Sequence, residues 1–561
     1  MGYRRLSRVL ALLLAASCIT QPQEPTTTAG GVTETSATTL TTAGATTTSA
    51  AAAPSEGATL VVAIDSDPGH LNPAITTSGS THTASELLYN GLVDLGPDLE
   101  PLPELAESWD VEEDGALYRF HLRDDVTWHD GTPFTSADVQ FSFEEVLLEL
   151  HSRTAASVGT AIESIQTPDD HTVEFRFRQP YAPLLRQLNV TEAPIVARHV
   201  YEGSDLQENP ANTSPVGTGP FQFVSYSPEA EIVLDRNPDY FKEDLPHLGQ
   251  VVMRIIPDEG SRVIAFEAGE VDWLWGVPGS DLARLQADPN VEFIQTAINP
   301  GGQNCITTIS YNLERPMMQD LRVRRAIAHA LDRDQFVERV LFGEGRVAAA
   351  PIHSGIAWAH ATGLPMPEQD PAEAQRLLEE AGWTTDGGAP RTAQGVEGVP
   401  DGTPLAFNFL HFPTFAAYGE LLRAQLAQVG MEVTLQPLDP PVFVEAVFTE
   451  RDFDTNIISY CNGTDPEIGV RRMYISGNIA PMPFSNSSAY RNEQVDRLFD
   501  QAQRTVGLDA RGEIYRQIQE IVVEELPYFW VVEPLSTRAY RSSCSGFKPS
   551  GHFAETAICE Q

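Results

Sequence analysis

The side chains able to do chemistry are plentiful in this chain but are not arranged for catalysis. It has no His-Glu-x-x-His, Gly-x-Ser-x-Gly, phosphate loop, Cys-x-x-Cys pair or calcium loop. The 13 histidines show no metal-ligand spacing, and His121, His129 and His171 fall in strand and turn patterns that suit a structural role. Acidic residues are so common that a carboxylate pair is not excluded by residue type. Without partners at a working spacing, however, the pattern speaks for binding rather than turnover, and for neither a metal nor a cofactor. Two stretches carry binding chemistry. In "GEVDWLWGVP" (269–278), Trp273 and Trp275 share a face if they lie on a strand, as core or as pocket wall. In "IISYCNGTDPEIG" (457–469), a strand stops at a turn that presents Cys461, Asn462, Asp465 and Glu467. Alternation along that strand sends Phe453, Ile457 and Cys461 one way and Ile458, Tyr460 and Asn462 the other. Tyr460 and Asn462 are therefore expected to face a cleft, with Cys461 fixing the turn from behind.

The chain has five cysteines, and the first, Cys18, stands apart from the rest. Arg4, Arg5 and Arg8 precede the apolar run Val9 to Ala16. Crossing a bilayer takes about 20 apolar residues, so this run reads as an export signal. "LLAASC" resembles the lipobox of bacterial lipoproteins, which makes Cys18 the lipid anchor; an ordinary signal peptide is the alternative. Residues 19–56 are rich in Thr, Ala, Ser and Gly, a composition that cannot bury enough surface to offset chain entropy and that suits a tether. In an exported setting the other four cysteines allow three pairings. Cys544 and Cys559 close a short C-terminal loop and are paired on that ground, which leaves Cys305 with Cys461; free buried thiols are the alternative.

Around these sites the chain alternates strands and helices. "ATLVVAID" (58–65) is a buried-type strand, and "ALYRFHLR" (116–123) and "HTVEFRFR" (171–178) alternate apolar with polar. Thr135-x-x-Asp138 marks a helix start, as do Asp370 and Pro371, while Gly382 and Gly430 mark helix ends. "DLRVRRAIAHALDRD" carries Val323, Ala326, Ile327, Ala330 and Leu331 on one helical face. "PVGTGPF" (215–221) reads as a rigid scaffold corner. Helix, glycine, strand is the α/β rhythm, and 561 residues exceed one core. A net charge of −42 argues against nucleic acid or an anionic membrane as partner. Lysine is nearly absent, only Lys242 and Lys548, which reads as genome composition.

The segments "LNP" (71–73), "LAESWDV" (105–111), "FHLRDDVTWHDGTPFTSADVQFSFE" (120–144), "PVGTGPF", "LDRNPDYF" (234–241), "FEAGEVD" (266–272), "LRVRRAIAHALDRD" (321–334) and "FDTNIISYCNGTDP" (453–466) carry a family likeness in their order and spacing. From about Thr59 to Gln561 the chain resembles the extracellular solute-binding proteins of family 5, the peptide/nickel type that serve ABC importers. The resemblance implies an α/β, two-lobed periplasmic-binding-protein type II fold with an extra inserted domain, three domains in all, closing about a hinge. Lobe I would comprise 57–91, 206–303 and 529–561, the inserted domain 92–205, and lobe II 304–528. It further implies a solute held between the lobes, ABC permease subunits as partners, a monomer, and a place outside the cytoplasmic membrane. A sensor or chaperone not tied to transport, or a secreted hydrolase, is the competing class. Peptide-binding members pair ligand backbone with segments that correspond here to Ser66–His70, including Asp67, Pro68 and His70, and to Ser459–Asn462. Their ammonium-binding Asp corresponds to Asn462, which can accept a hydrogen bond but neutralises nothing. Asp465 or Glu467 is the candidate replacement from a neighbouring position, with ordinary turn residues as the alternative. The ligand classes left open are an oligosaccharide, an opine-like conjugate, a blocked peptide or another neutral solute; nickel and haem fit less well.

Overall fold

A strand that reads Leu-Val-Val-Ala-Ile has apolar residues on both faces and must be covered on both. Thr59–Ile64 satisfies this inside a seven-stranded sheet, parallel to Gln250–Ile255 on one side and to Trp273–Leu274 on the other. The protein is seen in a computed structural model that describes residues 57–296, 304–385, 390–549 and 551–560. The expected export signal, Cys18 and the 19–56 tether lie outside the described residues. The C-terminal strand Ser536–Arg541 enters the same sheet between Trp273–Leu274 and Val291–Thr296, antiparallel to both. Residues far apart in the chain thus become neighbours, Trp273 opposite Tyr540 and Leu274 opposite Ala539.

A second, six-stranded sheet is built from residues 305–534. Cys305–Tyr311 lies between Thr455–Cys461 and Tyr528–Pro534. Residues 529–534, expected with the first lobe, therefore belong to this second sheet, and the chain crosses back only at Leu535. The cause is burial: the strand runs Tyr-Phe-Trp-Val-Val-Glu with every one of these residues buried, so it needs neighbours on both sides. Cys305 stands directly opposite Cys461 in register, and the two are bonded, as are Cys544 and Cys559.

Alternation does produce the four-stranded antiparallel sheet, with Leu117–Leu122 and Thr172–Phe177 at its centre. The helix Ser136–Phe141 beside it starts in a capping box between Thr135 and Asp138. Asp370 caps Pro371–Glu380 by accepting from the backbone N–H groups of Ala372 and Glu373. The helix whose expected face runs to Leu331 ends at Ala330: Leu331 is extended, and the Asp332 side chain caps a new turn by accepting from Gln335 N–H. No described helix is long and apolar enough to cross a membrane.

One core cluster joins the seven- and four-stranded sheets, and a second fills the six-stranded body. Both lysines of the chain meet in the first body on one buried carboxylate, Glu555. Lys242 Nζ bridges Glu104 at 2.6 Å and Glu555 at 2.8 Å, Lys548 pairs with Glu555, and Tyr240 Oη donates to it at 2.6 Å. A compact ammonium bridging two buried acids accounts for a lysine at position 242.

The bodies also meet directly. Ala182 N–H donates to Gln503 O at 2.9 Å, and Thr464 Oγ1 donates to Arg186 O at 2.8 Å. Trp358 packs beside Arg186 and Arg511, whose guanidinium carbons lie 5.5 and 4.9 Å from its ring.

Candidate ligand-binding cavity

Where Thr59–Ile64 ends, the chain opens into Asp65 and Ser66, and these form one rim of a cavity of about 430 Å³. The other walls are the polar segment Thr77–Thr83 with Glu86, Arg153 and Thr191, then Trp275 just past the seven-stranded sheet, and Ser536 and Arg538 on it. That volume suits a small organic solute.

Arg538 is the most unusual wall residue. It lies on Ser536–Arg541, a strand otherwise short of charge until its end, and is only 4% exposed. Its guanidinium carbon sits 4.7 Å from the Trp275 ring centroid, a cation–π arrangement. Nη1 donates to Pro549 O at 3.3 Å, while Nε is buried with no hydrogen-bond partner among the described residues. No carboxylate among the described residues lies within ion-pairing distance. Burial pulls the guanidinium down to about 10, opposed only in part by the field of Glu86.

The neighbouring carboxylates are already engaged. Glu86 accepts from Thr191 Oγ1 at 2.6 Å and lies 3.6 Å from His82 Nδ1. Glu192 is paired with Arg153 at 3.2 Å. The second body adds Arg472 to this region: burial first, and then repulsion from Arg153, lowers it to about 10 against the opposing fields of Tyr460 and Glu192.

Only one of the expected contact side chains lines this cavity. Trp275 is half-buried on its wall, whereas Trp273 is fully buried against Phe547 and Phe553, at 4.5 and 5.1 Å between ring centroids. The pair divides because the strand spans only Trp273–Leu274, and the chain leaves the sheet before Trp275. Asp67 is turned away: it accepts from Tyr226 Oη, from Gly69 N–H at 2.8 Å and from Glu229 N–H at 2.5 Å. Burial pushes its carboxyl up, but these three bonds together hold it below the ordinary range. Pro68 accepts from Thr81 Oγ1 at 3.2 Å, and His70 Nδ1 accepts from Asn72 N–H at 3.2 Å, so both brace the segment that carries Ser66.

The 459–467 turn is built differently from the expectation. Tyr460 does not face a cleft: it is fully buried among Phe484 and Tyr528 and shares a 2.8 Å hydrogen bond with Ser487 Oγ. Alternation does not leave Tyr460 facing a cleft, because this strand lies inside the six-stranded sheet. Ser459 pairs with Thr307 across the sheet at 3.0 Å, and Cys461 is in the disulfide. Asn462 is 1% exposed, its Oδ1 accepting from His353 N–H at 2.7 Å. Asp465 is fully buried, accepts both Arg511 Nη groups at 2.7 Å, and caps the next turn by accepting from Glu467 N–H. It is a structural anion with no charge to spare for a ligand.

Arg538, Arg153, Thr191 and Ser536 escaped sequence reasoning because each is an isolated polar residue. The only signal was the arginine within "PLSTRAYR", a charge at a strand position that proves to be buried.

Residues 100–480 match the family described as bacterial extracellular solute-binding proteins, family 5 middle. Heme-binding protein A of Haemophilus influenzae is 28% identical over 519 residues, covering 86% of this chain and 89% of that protein. The dipeptide-binding protein of Escherichia coli is 26% identical over 531 residues, covering 90% and 95%. Among solved structures, the periplasmic binding protein DppA of Helicobacter pylori with the peptide STSA aligns with a TM-score of 0.74 at 25% identity, covering 90% of this chain and 99% of that one.

Proposed function

The chain belongs to the bacterial extracellular solute-binding proteins, family 5, and on that premise we propose that the cavity at Trp275 and Arg538 is where it holds its solute. The protein is the non-enzymatic binding component of an ABC importer, an α/β protein of the periplasmic-binding-protein type II fold. It works outside the cytoplasmic membrane and hands its solute to a permease. The observation that carries the placement is a cavity walled by a buried, unpaired cation in a molecule whose bodies touch through Thr464–Arg186 and Ala182–Gln503. Such contacts form on closure and hold the solute until the permease opens the molecule.

In this reading the seven-stranded sheet is lobe I, the four-stranded sheet the inserted domain and the six-stranded sheet lobe II, each acting in a monomer tethered through a lipid on Cys18. Nucleic acid has no part in it. The solute is a small organic molecule rather than a peptide with a free α-ammonium, because Asn462 is neutral with its oxygen bonded to His353 and Asp465 is consumed by Arg511. The test is to isolate the protein without unfolding it, release its solute by denaturation, identify that solute by mass spectrometry and titrate it back onto emptied protein. One solute per chain, recovered chemically unchanged, is expected. A converted product, or binding of a free-amine dipeptide in preference to every blocked one, would contradict it.

A further inference from the structure

We propose that the solute carries a carboxylate, and that this group binds Arg538 beside the Trp275 ring; the inference rests on the cavity being the solute site. An arginine only 4% exposed is normally paired, because a buried charge without a counter-charge is strongly destabilising. Arg538 is not paired. Among the described residues its Nε has no acceptor, and the hydrogen bond it makes goes to a neutral carbonyl at 3.3 Å. The planar fork of arginine matches the two oxygens of a carboxylate, which would supply the missing acceptors in a single contact.

The surrounding charges support that assignment over a neutral or cationic solute at this spot. Glu86 accepts from Thr191 Oγ1 and Glu192 pairs with Arg153, and neither carboxylate lies within ion-pairing distance of Arg538, which feels only the opposing field of Glu86. The exposed Asp65 lies at the rim. The indole N–H of Trp275 is likewise buried without an acceptor among the described residues, a second donor beside the guanidinium. Trp275 and Arg538 both line the cavity. The position that would receive an ammonium in a peptide binder holds Asn462, already hydrogen-bonded. Of the ligand classes left open by the sequence, this favours those that carry an acid group.

Matched pairs of solutes decide it: N-acetyl-dialanine against its C-terminal amide, gluconate against gluconamide, and dialanine amide as the cation. Thermal shift ranks them and calorimetry measures those that respond. The acid of a responding pair should bind at least about ten-fold more tightly than its amide, the difference expected from a charge-assisted bidentate contact. Arg538→Gln should shrink that preference to about two-fold or less, while its melting temperature without solute stays within a few degrees of the parent, and Arg538→Lys should restore part of it. Amides that bind as well as acids, or an Arg538→Gln variant that keeps the preference, overturn the carboxylate and leave the binding-protein reading in place. No response from any probe counts against both.

Discussion

Replacing Asp465 separates a structural acid from a ligand-binding one. Its carboxylate accepts two Arg511 Nη groups at 2.7 Å, with the two side chains 0% and 1% exposed, and Arg511 also lies over the Trp358 ring. Asp465→Ala leaves a guanidinium buried without a counter-charge, which costs about 3–5 kcal/mol, and removes the cap on Glu467 N–H, worth roughly a further 1 kcal/mol. The effects share one carboxylate and do not simply add, so the expected loss is about 4 kcal/mol. Asp465→Asn keeps an acceptor for the cap and for one guanidinium N–H and should lose less, about 2–3 kcal/mol. Replacing the whole pair, Asp465→Ala with Arg511→Met, should recover much of the loss, because no charge then remains stranded. Guanidinium unfolding followed by tryptophan fluorescence reports the differences as shifts in midpoint. Solute affinity, measured well below the unfolding transition, should fall by less than about three-fold, since Asp465 is not a cavity wall. A stability loss under about 1 kcal/mol combined with loss of binding would refute the assignment and return Asp465 to the ligand.

Other perturbations test separate parts of the account. Burial raises the Glu467 carboxyl to about 7 against the opposing field of Arg471, with Asp465 raising it further and Arg511 opposing. A carboxyl whose pKa is raised on folding stabilises the folded form while protonated, so stability should fall as pH rises from about 4.5 to 7 and level off above; Glu467→Gln should flatten that slope in denaturation midpoints taken at pH 5, 6, 7 and 8. The Cys305–Cys461 bond closes a 156-residue separation, so replacing both cysteines by serine should cost about 5 kcal/mol on the chain-entropy account, read by denaturation in parallel with a reductant-treated sample. Lys242→Met strands Glu104 in the interior and leaves Glu555 to Lys548 and Tyr240; it should lower stability by about 3–5 kcal/mol, whereas a surface lysine would be nearly silent, and thermal unfolding distinguishes the two.

How much was legible depends on whether the information was local. The cap at Asp370, the capping box at Thr135 and the strands at 117–122 and 172–177 are written in neighbouring residues and appear as expected. The cysteine pairing needed only loop length and elimination. The course of 529–534 was misplaced because a fully apolar strand carries no mark of which sheet covers it. The site was the least legible part. Tyr460 has the alternation of a half-exposed strand residue, yet neighbours on both sides of its sheet bury it. Asp465 looks like a free acid until Arg511, 46 positions later, is folded onto it. Arg538 becomes a cavity residue only because the last long strand enters the first sheet beside Trp273, a long-range pairing that no local pattern encodes.

The central claim is the location of the solute, and the most direct measurement is a crystal structure of protein purified without unfolding. The account predicts density for one small molecule in the cavity bounded by Ser66, Trp275, Thr191 and Arg538, with oxygen atoms against the Arg538 guanidinium. Density at the 459–467 turn instead, or a cavity holding only water in protein shown by mass spectrometry to carry a solute, would contradict it.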